Sequence, residues 1–257
     1  MLKPVARPAW CARFNACVTA TRLERKNGGG AIEATGDEEN EDAMNANDNA
    51  TEPQDDLDPA AAEAGLPIAY VADLLVMPGA KPVAVVASPS GADGSTATVM
   101  LARAIAELAR SVVLVDMTAT GAPSRLMVSD ESLPGIMDLL TGDAAFGETI
   151  HRDRLSTAHI VPQGVGSGHR VTGVLDRLVM VLGALSGSYD TVLLEFGAAN
   201  PTEISRILKY VDADIVISVP DGDPVMLRET ESAFRESGHN QLIPMVSAKK
   251  AASGLTA

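Results

Sequence analysis

Aromatic side chains make up only 3% of the 257 residues, with one Trp, three Tyr and four Phe. That scarcity excludes the stacking platforms on which sugar- and base-binding surfaces are built, and it makes the core aliphatic. Cysteine is scarcer still. Cys11 and Cys17 are the only two, so sulfur supplies neither a disulfide framework nor a four-ligand zinc site, and a reducing compartment fits. Basic residues are outnumbered, 20 Lys+Arg against 34 Asp+Glu, for a net charge of −14. Such a chain repels phosphate backbones, so nucleic acid is not an expected partner. No apolar run reaches the length of a membrane span, and Arg7, Pro8 and Arg13 interrupt the N-terminal stretch where a secretory signal would need continuous hydrophobicity. A cytoplasmic location is expected, peripheral at the inner membrane at most.

What is present divides into a tail and a domain. Residues 1–26 carry six basic side chains and one acid, Glu24, whereas Glu33 to Glu63 holds twelve acids and no Lys or Arg. Ordering a residue costs about 1–2 kcal/mol, and this stretch has too little apolar surface to offset that, so residues 1–64 are expected to be disordered. The tail reads as a solvated tether; a basic arm for anionic lipid is the functional alternative. Residues 65–80 read as a linker or docking segment, 81–248 as the folded domain and 249–257 as a flexible end.

From Lys81 onward short aliphatic runs alternate with helical patterns, as in a parallel sheet covered on both faces. Strands are expected at 82–88, 111–116, 158–163, 191–197, 213–219 and 242–247. Leu101, Ile105 and Leu108 share one face of a helix. Val171, Val174, Leu178, Val181 and Leu185 repeat the period over 171–186. Asn200-Pro201-Thr202-Glu203 opens a helix whose Ile204, Ile207, Leu208 and Val211 face inward, and Asp223-Pro224 opens another that Gly238 closes.

In such sheets the turn after the first strand is the usual phosphate cradle. Here it reads Ser88-Pro89-Ser90-Gly91-Ala92-Asp93-Gly94-Ser95-Thr96, followed by the helix ATVMLARAIAELAR. A working cradle needs inward-turned backbone N–H groups, a lysine for the β/γ-phosphates and a hydroxyl for Mg²⁺. Glycines and hydroxyls are present; the lysine is not. Asp116 and Glu195, at strand ends, are candidate Mg²⁺ ligands or loop caps. Gly164-Val165-Gly166-Ser167-Gly168 reads as a flexible turn, and His151, His159, His169 and His239 have no ligand spacing.

GADGSTATVMLA resembles the G-E-G-K-S-T loop and helix of the bacterial tyrosine kinase domains attached to polysaccharide co-polymerases, relatives of the deviant-Walker ATPases of septum positioning and plasmid partition. In that register Gly91, Ser95 and Thr96 are retained, while Ala92, Asp93 and Gly94 replace an acid, a glycine and the lysine. VVLVDMT matches the second motif, V-L-L-I-D-A-D, keeping Asp116 and putting Thr118 at the second acid. YDTVLLEF matches the third, with Glu195 in place of Asp. LPGIMDLLTGD and AHIVPQG resemble the intervening helix and strand, so the likeness runs over about residues 66–247.

The resemblance implies a P-loop NTPase-like, deviant-Walker α/β fold with a mostly parallel sheet between helices. Gly91, Asp93, Gly94, Ser95 and Thr96 are then a nucleotide-binding remnant, and Asp116 and Glu195 a metal-binding remnant. Losing the lysine contact costs about 1.5–3 kcal/mol, and the family's tyrosine-rich tail is absent from AKKAASGLTA. The expected function is non-catalytic or weakly nucleotide-binding: a regulatory or scaffold protein of exopolysaccharide synthesis or export. Its expected partner is a membrane-embedded co-polymerase or export machinery, with weak self-association. No cofactor is expected; ATP and Mg²⁺ enter under the alternative of an active autokinase or ATPase, a partition-type ATPase being the third reading. On sequence grounds, Asp93→Gly with Gly94→Lys should restore the cradle.

Overall fold

The computed structural model describes residues 65–165, 174–198, 200–220 and 223–247, all within one compact unit spanning Asp58–Ala257. The tail 1–64, the end 249–257, His169 and Gly166-Ser167-Gly168 lie outside the described residues.

The elements in chain order are β1 (Leu66–Pro67), α1 (Ile68–Val76), β2 (Val83–Ala87), α2 (Ala92–Glu107), β3 (Val112–Asp116), α3 (Ala122–Met127) and α4 (Ile136–Thr141). A 3₁₀ turn at Phe146–Glu148 leads to β4 (His151–Arg152), β5 (His159–Val161), α5 (Val174–Ser186), β6 (Thr191–Glu195), α6 (Pro201–Leu208), β7 (Asp214–Pro220), α7 (Pro224–Glu236) and β8 (Ile243–Ser247). They build one eight-stranded sheet in the order β1-β8-β7-β2-β6-β3-β5-β4. Every pairing is parallel except β4 with β5.

Every residue of β2, β3 and β6 is buried, which is why these strands are aliphatic but for the polar residues at the ends of β3 and β6: each face of the sheet meets a helical layer. Ala84, Val86, Val112, Leu114, Leu193 and Val216 pack with α1, α2 and α3 in one cluster. By the alternation of side chains along a strand, Val85, Val113, Val192 and Leu194 face the other way. There α5, α6 and α7 bury Leu178, Leu182, Leu185, Ile204, Ile207, Leu227 and Phe234.

The predicted caps are in place. Asn200 accepts a hydrogen bond from the Thr202 N–H, and Asp223 accepts from Val225 and Met226. Gly238, at φ +91, ends α7 in the left-handed region that glycine tolerates best. Three expectations need correction. Residues 65–80, read as a linker or docking segment, contribute β1 and α1, with Val71, Ala72 and Leu75 buried in the core. Leu108 caps the end of α2 and is 42% exposed, because the helix stops before carrying it inward. Val211 lies beyond the end of α6 and is only half-buried. Among the described residues no helix is long and apolar enough to cross a membrane.

Candidate functional site

Strand order collects the motif residues. β6 lies between β2 and β3, pairing Val86 with Glu195 on one side and Asp116 with Glu195 on the other. The turn after β2, Asp116 and Glu195 therefore meet at the carboxyl edge of the sheet, the usual position of a ligand in an open α/β fold.

The turn itself departs from the sequence reading. The Gly91 N–H donates to the Ser88 carbonyl at 2.8 Å, closing Ser88–Gly91 as a β-turn. Gly91, at φ +71, then serves as N-cap of α2. The helix starts at Ala92, five residues before the expected Ala97, so Asp93, Gly94, Ser95 and Thr96 sit in its first two turns. The Ser95 N–H already makes a helical bond to the Gly91 carbonyl at 3.0 Å.

Gly94 is buried where the helix presses on the sheet. A Cβ there would stand 2.6 Å from Ser88 Cβ, 3.0 Å from the Ser218 carbonyl oxygen and 3.0 Å from Ser90 Oγ. The Gly94 carbonyl accepts from Ser218 Oγ at 3.0 Å, tying the first turn of α2 to β7. The Gly94→Lys substitution suggested by sequence thus meets a packed wall: position 94 has no room even for an alanine methyl without movement.

Glu195 is fully buried beneath this turn. Ser95 Oγ donates to its Oε1 at 3.0 Å, Thr98 Oγ1 to Oε2 at 2.6 Å, and the Gly197 N–H to Oε1 at 2.7 Å. Burial raises its pKa to about 7, and the hydrogen bonds from these hydroxyls and this amide offset only part of the desolvation. Thr98, one turn beyond Ser95, escaped the sequence reading. The motif comparison covers Thr98 within GADGSTATVMLA but assigns roles only as far as Ser95-Thr96, whereas helical geometry puts 95 and 98 on one face and leaves Thr96 exposed.

Asp116 is buried and differently engaged. Its Oδ1 accepts from the N–H and hydroxyl of Thr118 at 3.0 and 2.7 Å; its Oδ2 accepts from the N–H and hydroxyl of Ser124 at 3.0 and 2.5 Å. The carboxylate thereby fastens the β3–α3 loop and caps the first turn of α3. Thr118, standing where the resembled motif has a second acid, is a donor to Asp116 here. Among the described residues no three His, Cys, Asp or Glu side chains form a group able to hold a metal ion.

Lys81 stands at the far end of β2 from the turn, where its Nζ pairs with Asp212 Oδ1 at 2.9 Å and donates to the Ala213 carbonyl at 3.1 Å. The histidines have individual partners: His159 Nδ1 with the Tyr189 hydroxyl at 3.0 Å, His239 Nε2 with Ser205 Oγ at 3.0 Å, and His151 Nε2 with the Pro134 carbonyl at 3.2 Å.

No family model matches the sequence, and comparison with curated proteins gives no match. Solved structures do resemble the fold. The kinase domain of the Escherichia coli tyrosine kinase ETK aligns over 72% of this chain and 75% of its own, with a TM-score of 0.56 and 14% identity. The VpsO kinase domain aligns over 74% and 95%, at 0.54 and 18%. A plasmid partition protein from Borrelia burgdorferi aligns over 69% and 83%, at 0.50 and 14%. At these identities the likeness is one of fold: a mostly parallel α/β sheet between helical layers, as in the kinase domains of bacterial tyrosine kinases.

Proposed function

We propose that this chain is a non-catalytic regulatory or scaffold domain that has given up ATP chemistry and works by docking on a membrane-embedded polysaccharide co-polymerase or export assembly. The observation that carries the reading is Gly94. It occupies the position of the phosphate-binding lysine in the motif register, and the surrounding Ser88, Ser90 and Ser218 atoms leave no space for a side chain. Two further features support it. The Ser88–Gly91 turn is closed by its own hydrogen bond, and the atoms that would hold Mg²⁺ are committed within the chain. Ser95 Oγ serves Glu195, and each Asp116 oxygen already accepts two hydrogen bonds. These residues do not fit a Mg²⁺–triphosphate, and no phosphoryl-transfer step is assigned to them. The polysaccharide setting rests on the motif resemblance and on the fold likeness to the ETK and VpsO kinase domains.

Isothermal titration of the full chain with Mg-ATP tests the reading. No binding tighter than about a millimolar is expected, since loss of the lysine contact alone weakens affinity by roughly ten- to a hundredfold. A micromolar Kd, or ATP hydrolysis abolished by Asp116→Ala, overturns it in favour of an active ATPase or autokinase.

A further inference from the structure

Every strand of the sheet but β4 runs the same way, so the segments that lead into those strands all stand at its amino edge, opposite the Ser88–Gly91 turn. They include 77–82 before β2, 108–111 before β3, 153–158 before β5 and 209–213 before β7. Four of the eight large apolar side chains exposed among the described residues lie on these segments: Met77, Leu108, Leu155 and Tyr210, the last two 69% and 61% exposed. The other four are spread over α2, α5, α7 and the turn after β5. Each of the four tips has a cation close by in sequence, Lys81, Arg110, Arg154 or Lys209, and Arg152 stands on the last residue of β4. The described turns at the carboxyl edge, 88–91, 117–121, 162–165 and 196–198, contain no Lys or Arg.

The tip that carries Leu155 is firmly held. The Asp153 carboxylate is buried, paired with Arg103 at 2.9 and 3.0 Å, and accepts from Ser156 Oγ at 2.7 Å. The Arg154 N–H donates to the Met127 carbonyl at 3.0 Å. The turn thus has a fixed backbone yet leaves Arg154 and Leu155 in solvent, so a partner meets them without paying to order the loop. Acids stand at this edge too. Asp212 pairs with Lys81 at 2.9 Å, Asp190 accepts from Ser111, and Glu107 ends α2. The exposed cations are Arg110, Arg152, Arg154 and Lys209.

A folded protein partner needs a contiguous apolar centre, and these tips are separated. From β7 to β5 the strand order covers four spacings, about 19 Å, with a cation near each tip. A bilayer surface accepts that arrangement: Leu, Met and Tyr enter the headgroup layer singly, while Lys and Arg meet the lipid phosphates. The net charge of −14 turns the cation-free carboxyl edge away from an anionic surface. We propose that the amino edge of the sheet binds the surface of an anionic lipid bilayer, the four apolar tips entering the headgroup layer and the exposed cations resting on lipid phosphates. This face is remote from the nucleotide-site remnant, and its binding does not depend on whether that remnant holds ATP.

Flotation of the full chain with vesicles is the test. Vesicles of equal parts phosphatidylglycerol and phosphatidylcholine should carry the chain saturably, and phosphatidylcholine alone should not. Arg154→Gln with Lys209→Gln should weaken partition into the phosphatidylglycerol vesicles at least about tenfold. Leu155→Ser with Tyr210→Ser should weaken it about tenfold. All four positions are exposed, so both variants should keep the urea midpoint of the natural chain. Absence of partition into phosphatidylglycerol vesicles overturns the proposal, and so does partition that neither pair of substitutions changes, which assigns lipid binding to the basic residues 1–26. Binding of poly-L-glutamate that Arg154→Gln with Lys209→Gln weakens, in a chain that ignores the vesicles, gives the face to an acidic protein instead.

Discussion

Glu195→Gln should change how stability depends on pH, and the structure sets both sign and size. The carboxyl titrates at about 7 in the folded chain against 4.5 as the ordinary value. Between those values the folded state keeps a proton that the unfolded state has lost. Stability is therefore fully present below about pH 4.5 and falls as pH rises toward and through 7. At about 1.4 kcal/mol per pH unit, that interval sets a ceiling of about 3 kcal/mol. Gln is close to isosteric, and its amide can still meet Ser95 Oγ, Thr98 Oγ1 and the Gly197 N–H, but it does not titrate.

Two other groups act in neighbouring windows. His159 has its pKa lowered by burial and then by Arg152; it favours the folded state increasingly as pH rises toward 6.5, opposite in sign to Glu195. Asp153 is pushed up by burial but more than pulled back by hydrogen bonds from Arg103 and Ser156, so its contribution is lost only as pH falls below the ordinary carboxylate range. Both are present in the variant, so the difference between the two proteins isolates Glu195. Urea unfolding at pH 5, 6.5 and 8 should give a Gln-minus-Glu stability difference that grows by about 1–3 kcal/mol from pH 5 to pH 8. Parallel pH profiles for the two proteins would refute the reasoning, because they would mean that the carboxyl is solvated and ionises normally.

Gly94→Ala should destabilise the fold by about 1–3 kcal/mol through overpacking against Ser88 and Ser218, measured by urea unfolding, and Asp93→Gly with Gly94→Lys should produce no ATP binding by isothermal titration. Asp116→Ala leaves the donors of Thr118 and Ser124 without their acceptor; a loss of roughly 2–3 kcal/mol is expected in the same assay. Deleting residues 1–64 should leave a cooperative thermal transition intact. Deleting 1–80 removes α1 with its buried Val71, Ala72 and Leu75, and should abolish that transition or lower its midpoint sharply.

The sheet was legible because its physics is local. A strand buried on both faces is aliphatic over most of its length, and 83–87, 112–115 and 192–194 are so, the polar Asp116, Thr191 and Glu195 standing only at strand ends. The caps at Asn200 and Asp223 were legible for the same reason, since each acts within three residues of itself. β1 and α1 were harder. Their sequence is apolar almost throughout, Asp73 being the only charge in 66–76, but it directly follows the acidic stretch, and the burial of Val71 and Leu75 depends on α2 and β8, which are distant in sequence.

The site was misread at one point, and the residues there explain it. Ser88-Pro89-Ser90-Gly91 has Ser at the first turn position, Pro at the second and Gly at the fourth, the signature of a tight β-turn. Motif alignment gave the same residues to the approach of an open phosphate cradle. The two assignments demand different backbones, and the turn wins by closing on its own hydrogen bond, after which the chain enters α2 at once. That early start is what carries Gly94 against β7 and turns Ser95 and Thr98 onto Glu195. The longer reach of Glu compared with Asp then lets one carboxyl take both hydroxyls. Gly94 and Glu195 are thus two sides of one packing arrangement: a side chain at 94 would press on Ser88, Ser90 and the Ser218 carbonyl and disturb this helix start. Building a phosphate cradle here would accordingly require changing the turn at Pro89 as well as the residue at 94.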